Sequence, residues 1–117
     1  MIRELPDSEW EPFLASFIMQ HDRWLVTVES MRGWHRQIET RDEPLEGLIV
    51  HTDGVNRRQI VITAGGERFV IENPKQLRVA SENGVDQALE IEGDRGNVTR
   101  IAFRSAIAPE LVDGIAP

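Results

Sequence analysis

The sequence predicts an α+β fold, mostly β: an N-terminal amphipathic helix packed on a six- or seven-stranded antiparallel meander, a small barrel or sandwich. Three observations carry this expectation. An apolar stripe of helical period occupies the N-terminal segment, the period then changes to two, and turn residues recur at short, regular intervals. At 117 residues the chain has the size of one domain. It reads as a single domain over 1–117, with the helix near 8–20, the meander near 24–104 and a tail at 105–117.

The helix is marked by Trp10, Phe13, Leu14, Phe17 and Ile18, which share one face at 3.6 residues per turn. Ser8 and Glu11 have the spacing of a capping box. Pro12 lies close enough to this start to make the first turn irregular or to delay the regular helix. His21 and Asp22 end the pattern, and a cationic His21 there would suit the helix dipole. Strands are expected near 24–29, 34–41, 48–51, 58–63, 67–72, 87–92 and 98–104. Gly33, Glu43 with Pro44, Asp53 with Gly54, Gly65 with Gly66, Asn73 with Pro74, Asn83 with Gly84, and 93–97 separate or flank them.

Two hairpins can be set in register. A two-residue loop at Gly65 and Gly66 opposes Ile62 to Phe69 and Ile60 to Ile71 on one face, with Thr63–Arg68, Val61–Val70 and Gln59–Glu72 on the other. A loop centred on Arg95 opposes Leu89 to Ile101, Ile91 to Thr99, Glu90 to Arg100 and Asp86 to Arg104. If the sheet stays open, its edges are expected at the first and last strands. The 24–29 strand, with few charges to blunt pairing, is the expected site of a homodimer contact. The tail carries Ile107, Leu111, Val112 and Ile115 and is read as a turn packed on its own sheet, with docking on a partner as the alternative.

Thirteen Lys and Arg against twenty Asp and Glu leave a net charge of -7, which opposes binding to polyphosphate. The absence of cysteine excludes disulfides, thiolate metal sites and cysteine nucleophiles. No apolar run approaches the ~20 residues that span a bilayer. Acids and a proline near Met1 stand where a signal peptide needs a basic and then an apolar stretch. A soluble, cytoplasmic protein without membrane contact is the expectation.

The opening Arg3, Glu4, Leu5, Pro6, Asp7, Ser8, Glu9, Trp10, followed by Phe13, Phe17, Gln20, His21 and 24–29, resembles an uncharacterised bacterial family known as domain of unknown function 5335. The stretch 45–49 and the turn at 71–74 extend the resemblance over nearly the whole chain. The family implies no activity, cofactor or catalytic residue. The compact loop after Glu29, with its tryptophan, departs from the family pattern.

His21, His35 and His51 have no spacing that puts two on one face of one element, so no metal site is expected. Beside Asp53, His51 reads as a surface residue before a turn. No strained nucleophile turn is present, and Glu90 and Glu92 alternate with inward Leu89 and Ile91, which turns them to water. No catalytic residue and no cofactor are expected. The surface candidates for binding are Trp34 with Arg32, His35 and Arg36, and the pair Arg57 and Arg58. Trp34 shares a strand face with Ile38, which favours core packing over a binding role. The functional expectation is a non-enzymatic protein-interaction or assembly domain with an unknown protein partner or a second copy. A nucleic-acid-binding small barrel using Trp34, Arg57 and Arg58, disfavoured by the net charge, and a ligand-binding or enzymatic barrel are the alternatives.

Overall fold

The computed structural model describes residues 1–52 and 58–104. Among these the chain forms β1 (Ile2–Leu5), a 3-10 turn (Asp7–Glu9), α1 (Trp10–Gln20), β2 (Leu25–Arg32), β3 (His35–Thr52), β4 (Arg58–Ala64), β5 (Glu67–Glu72), β6 (Gln76–Glu82), β7 (Val85–Glu92) and β8 (Val98–Arg104). The strands make one open antiparallel sheet in the order β1-β6-β7-β8-β2-β3-β4-β5. The expected α+β, mostly β fold is present, with eight strands among the described residues and β1 and β5 at the ends of the strand order.

The 3-10 turn decides how α1 begins. The Glu9 N–H donates to Pro6 O at 2.9 Å, so Ser8 lies inside that turn. Glu9 becomes the N-cap, without a side-chain cap bond. The capping box expected from Ser8 and Glu11 therefore does not form. Pro12 falls at the third helical position, where an N–H has no intrahelical partner in any case, so it costs the helix no hydrogen bond. Trp10, Leu14 and Phe17 are buried, with Phe13 and Ile18 packed half-buried beside them. Trp10 Nε1–H donates to Leu5 O at 3.0 Å, tying the start of the helix to β1.

His21 closes α1, as its position in the sequence suggested, and its ring is buried rather than solvated. It stacks on Phe17 at 4.0 Å between centroids. Its Nδ1 stands 3.0 Å from Phe17 O; a carbonyl can only accept, so this nitrogen carries the proton. Phe103 meets Phe17 edge-on at 4.9 Å and His21 at 5.1 Å, and Trp24 meets His21 at 4.5 Å. Edge-to-face contacts of this kind place ring edges against π faces and add to area burial.

Both registers read from the sequence are present. The Gly65–Gly66 hairpin pairs Ile62 with Phe69, Ile60 with Ile71 and Gln59 with Glu72. The β7–β8 ladder pairs Leu89 with Ile101, Glu90 with Arg100 and Ile91 with Thr99. That ladder stops at Ala88–Ala102, and Arg104 pairs with Leu25 of β2 instead of Asp86. Gly65 is required twice over: its φ is 59°, and a Cβ there would lie 2.6–2.8 Å from the Glu43 side chain.

The expected edge is in the wrong place. β2 lies between β8 and β3, so the 24–29 strand is interior, and the edges are β1 and β5. Two strands escaped the sequence reading, β1 and β6, and they pair with each other. The two segments read as strands at 34–41 and 48–51 are one strand, β3. Its first part pairs with β2 as far as Pro44, and from Leu45 it pairs with β4. Pro44, lacking an N–H, sits where the ladder changes partner.

Phe17→Ala is expected to destabilise the protein by ~3–5 kcal/mol, because the ring is buried against Phe103 and His21. Urea denaturation followed by circular dichroism measures this, and a loss below ~1 kcal/mol would contradict a buried helix face.

Candidate binding groove

Among the described residues β5 is paired on one side only, with β4. In an antiparallel ladder, residues whose N–H and C=O point to the neighbour alternate with residues whose groups point away. Asn73 N–H donates to Arg58 O across the end of the β4–β5 ladder at 3.0 Å. Counting back from it, Phe69 and Ile71 bond toward β4, and Arg68, Val70 and Glu72 direct N–H and C=O to the free edge. A groove of ≈ 730 Å³ runs along that edge. Residues 68–73 line one side, and Val28, Ser30 and Arg32 of β2 with Asp94, Arg95, Asn97 and Thr99 line the other; no β4 residue takes part. Val28 and Ile71 give it a buried apolar floor, with Phe69 half-buried beside them. One end is pinned where Asn73 Nδ2 donates to Asp94 Oδ2 at 3.3 Å.

The groove continues beneath the β2–β3 ribbon. A second depression of ≈ 490 Å³ shares Ser30, Arg32, Glu39 and Asn97 with the first and adds Met31, His35 and Gln37. The ribbon turns at Gly33 and Trp34, with Arg32 paired to His35 and Gly33 at φ 61°. Three arginines line the main groove, Arg32, Arg68 and Arg95, and none makes an ion pair among the described residues. The acids that share it are engaged by neutral donors: Glu39 accepts from Ser30 at 2.7 Å, Glu72 from Gln59 at 2.9 and 3.1 Å, and Asp94 from Asn73.

The sequence candidates separate. Arg32 and His35 line the groove system. Trp34 is fully exposed at the ribbon tip, so the expectation of core packing is overturned. Ile38, on whose alignment it rested, is itself 40% exposed. Arg36 lies across the ribbon, opposite Met31, and pairs with Glu29 at 3.0 Å. Arg58 is structural: its guanidinium lies 4.2 Å from the centre of the Trp10 ring and pairs with Asp7 at 3.1 Å. Arg57 lies outside the described residues, as do Asp53 and the apolar tail. Glu90 and Glu92 are half-buried rather than freely solvated, held by Arg78 at 3.5 and 3.2 Å, with Arg100 also on Glu90 at 3.5 Å. Sequence reasoning missed Arg68 and Arg95 as groove residues, because nothing local says that β5 is the last strand of the sheet. Among the described residues no three His, Asp or Glu converge as metal ligands, and no helix is long and apolar enough to cross a membrane.

Fold and groove together define an α+β domain whose open sheet leaves one strand edge inside a cleft. The chain belongs to the family described as "Family of unknown function (DUF5335)", whose model matches residues 1–111. Among solved structures it is similar to one described as the crystal structure of Bacillus subtilis YojF protein. That match has 13% identity and a TM-score of 0.48, and covers 89% of this chain and 95% of that one. No curated protein matches the chain.

Arg58→Ala is expected to cost ~1–2 kcal/mol of stability through lost stacking and stem packing on Trp10. Arg36→Ala, which removes an exposed guanidinium from a half-buried Glu29, is expected to cost less, under ~1 kcal/mol. Equal losses in urea denaturation would contradict the division of the two arginines into structural and surface roles.

Proposed function

We propose that the protein is a non-enzymatic interaction and assembly domain that accepts an extended polypeptide strand along β5. The observation that carries this reading is the free edge of β5, where Arg68, Val70 and Glu72 aim backbone donors and acceptors into a groove with an apolar floor. An added strand would satisfy those groups by main-chain bonding, and alternate side chains would reach Val28, Phe69 and Ile71, as in strand-addition modules. The nucleic-acid alternative loses a contact it relies on, because Arg58 is already engaged by Trp10 and Asp7. The net charge of -7 opposes it further.

The test uses an octapeptide alternating valine and threonine, and the same peptide N-methylated at every second residue. On addition to about millimolar concentration, the unmodified peptide should shift the NMR signals of the Arg68, Val70 and Glu72 amides and the methyls of Val28 and Ile71. The N-methylated peptide should not. No shift, or equal shifts with both peptides, would overturn strand addition.

A further inference from the structure

We infer that the strand β5 is built to receive is β5 of a second copy of this chain, paired antiparallel about a two-fold axis through Val70. This rests on the strand-acceptor reading above and adds the identity of the partner.

The self-complementarity is in the residues. An antiparallel pair centred on Val70 sets Val70 against Val70, Arg68 against the second copy's Glu72, and Glu72 against the second copy's Arg68. These are the residues whose N–H and C=O face the free edge, so each opposed pair can exchange both backbone bonds. Directly opposite residues share a face of the sheet. The charges therefore meet their opposites twice, once on each side of the axis, and Val70, 43% exposed, meets its equivalent. On the other face Phe69 opposes Ile71 of the second copy, which extends the apolar floor.

Neighbouring registers lack this match. Moved two residues one way, Arg68 opposes Val70 of the second copy; moved the other way, it opposes Pro74, which has no N–H to give. Edges that avoid pairing carry charges, prolines or bulges; β5 does carry charges, but Arg68 and Glu72 flank an exposed valine so that each meets its opposite across the axis, and the strand pairs with β4 without a register shift. A two-fold contact of this kind is isologous and closed, which makes a dimer and not a fibre. The other edge, β1, has four residues and offers less.

One strand pair is a small interface, so a dissociation constant of about 10–100 µM is expected in sedimentation equilibrium. Arg68→Glu sets two like-charged pairs across the axis, and so does Glu72→Arg; each variant alone should associate about tenfold more weakly. An equimolar mixture of the two restores opposite charges at both positions and should recover wild-type association to within about threefold. Val70→Pro, which removes the central donor but none of the bonds to β4, should abolish it. Variants that associate like the wild type, or a mixture no better than its components, would overturn the register. A protein monomeric at about 500 µM whose Arg68, Val70 and Glu72 amides still respond to the valine–threonine peptide would overturn the second copy and leave the strand acceptor standing. Failure of both measurements would overturn both.

Discussion

The fold depends on a single strand that belongs to two ladders. β3 pairs with β2 up to Pro44 and with β4 from Leu45 onward, and the change of partner folds β4 and β5 away from the run of the remaining strands. Three irregularities soften the bend. Two register shifts separate Val26 from Glu29 along β2, and a third lies between Leu45 and Gly47. Asp42 adopts φ 52°, a conformation that aspartate tolerates better than most residues, and its N–H donates to Thr27 Oγ1 at 3.2 Å. Bulges of this kind bend a strand and tighten its twist. The corner is held from outside, since Gly65 N–H donates to Pro44 O at 3.0 Å, and Leu45 exchanges bonds with Trp24 and Arg23 at 2.8 and 3.1 Å.

Everything that makes the groove follows from that corner. With β4 and β5 folded over, the side chains of α1, β3 and the flanking strands share one apolar core, which includes Trp10, Leu14, Leu45, Leu48 and Ile62. β5 comes close to the β7–β8 turn without pairing, and contact is made at Asn73 and Asp94. Full closure would have removed the edge, as it does in barrels. Here the seam stays open over the floor made by Val28 and Ile71. The ribbon beyond Glu29 is the second product of the same strand. Residues 32–39 are exposed, and Trp34 at its tip has no core to enter.

How far the sequence could be read depended on how local each signal was. The helix stripe from Trp10 to Ile18 and the registers around Gly65 and Arg95 rest on residues close in the chain, and they stand in the structure. β6 had its own signal, Leu77 and Val79 alternating between the turns at Pro74 and Asn83, but its pairing with β1 joins residues more than seventy positions apart and leaves no mark on either segment. Pro44 read as a strand end because a proline usually interrupts a ladder; its role at a change of partner needs the tertiary structure. The surface candidates were grouped by closeness in sequence. A period of two sends Arg32 and Arg36 to opposite faces of the ribbon, and burial of Trp10 draws Arg58 onto its ring. Arg68 and Arg95 joined the site only through topology.

The central claim is that β5 is bonded on one side and open on the other, and amide hydrogen exchange resolves it residue by residue. At about 1 µM protein, where the weak dimer dissociates, the amides of Phe69, Ile71 and Asn73 should be protected by β4. Those of Arg68, Val70 and Glu72 should exchange at rates close to those of unstructured peptide. Uniform protection along 68–73, or none at all, would contradict an edge that is free within its groove.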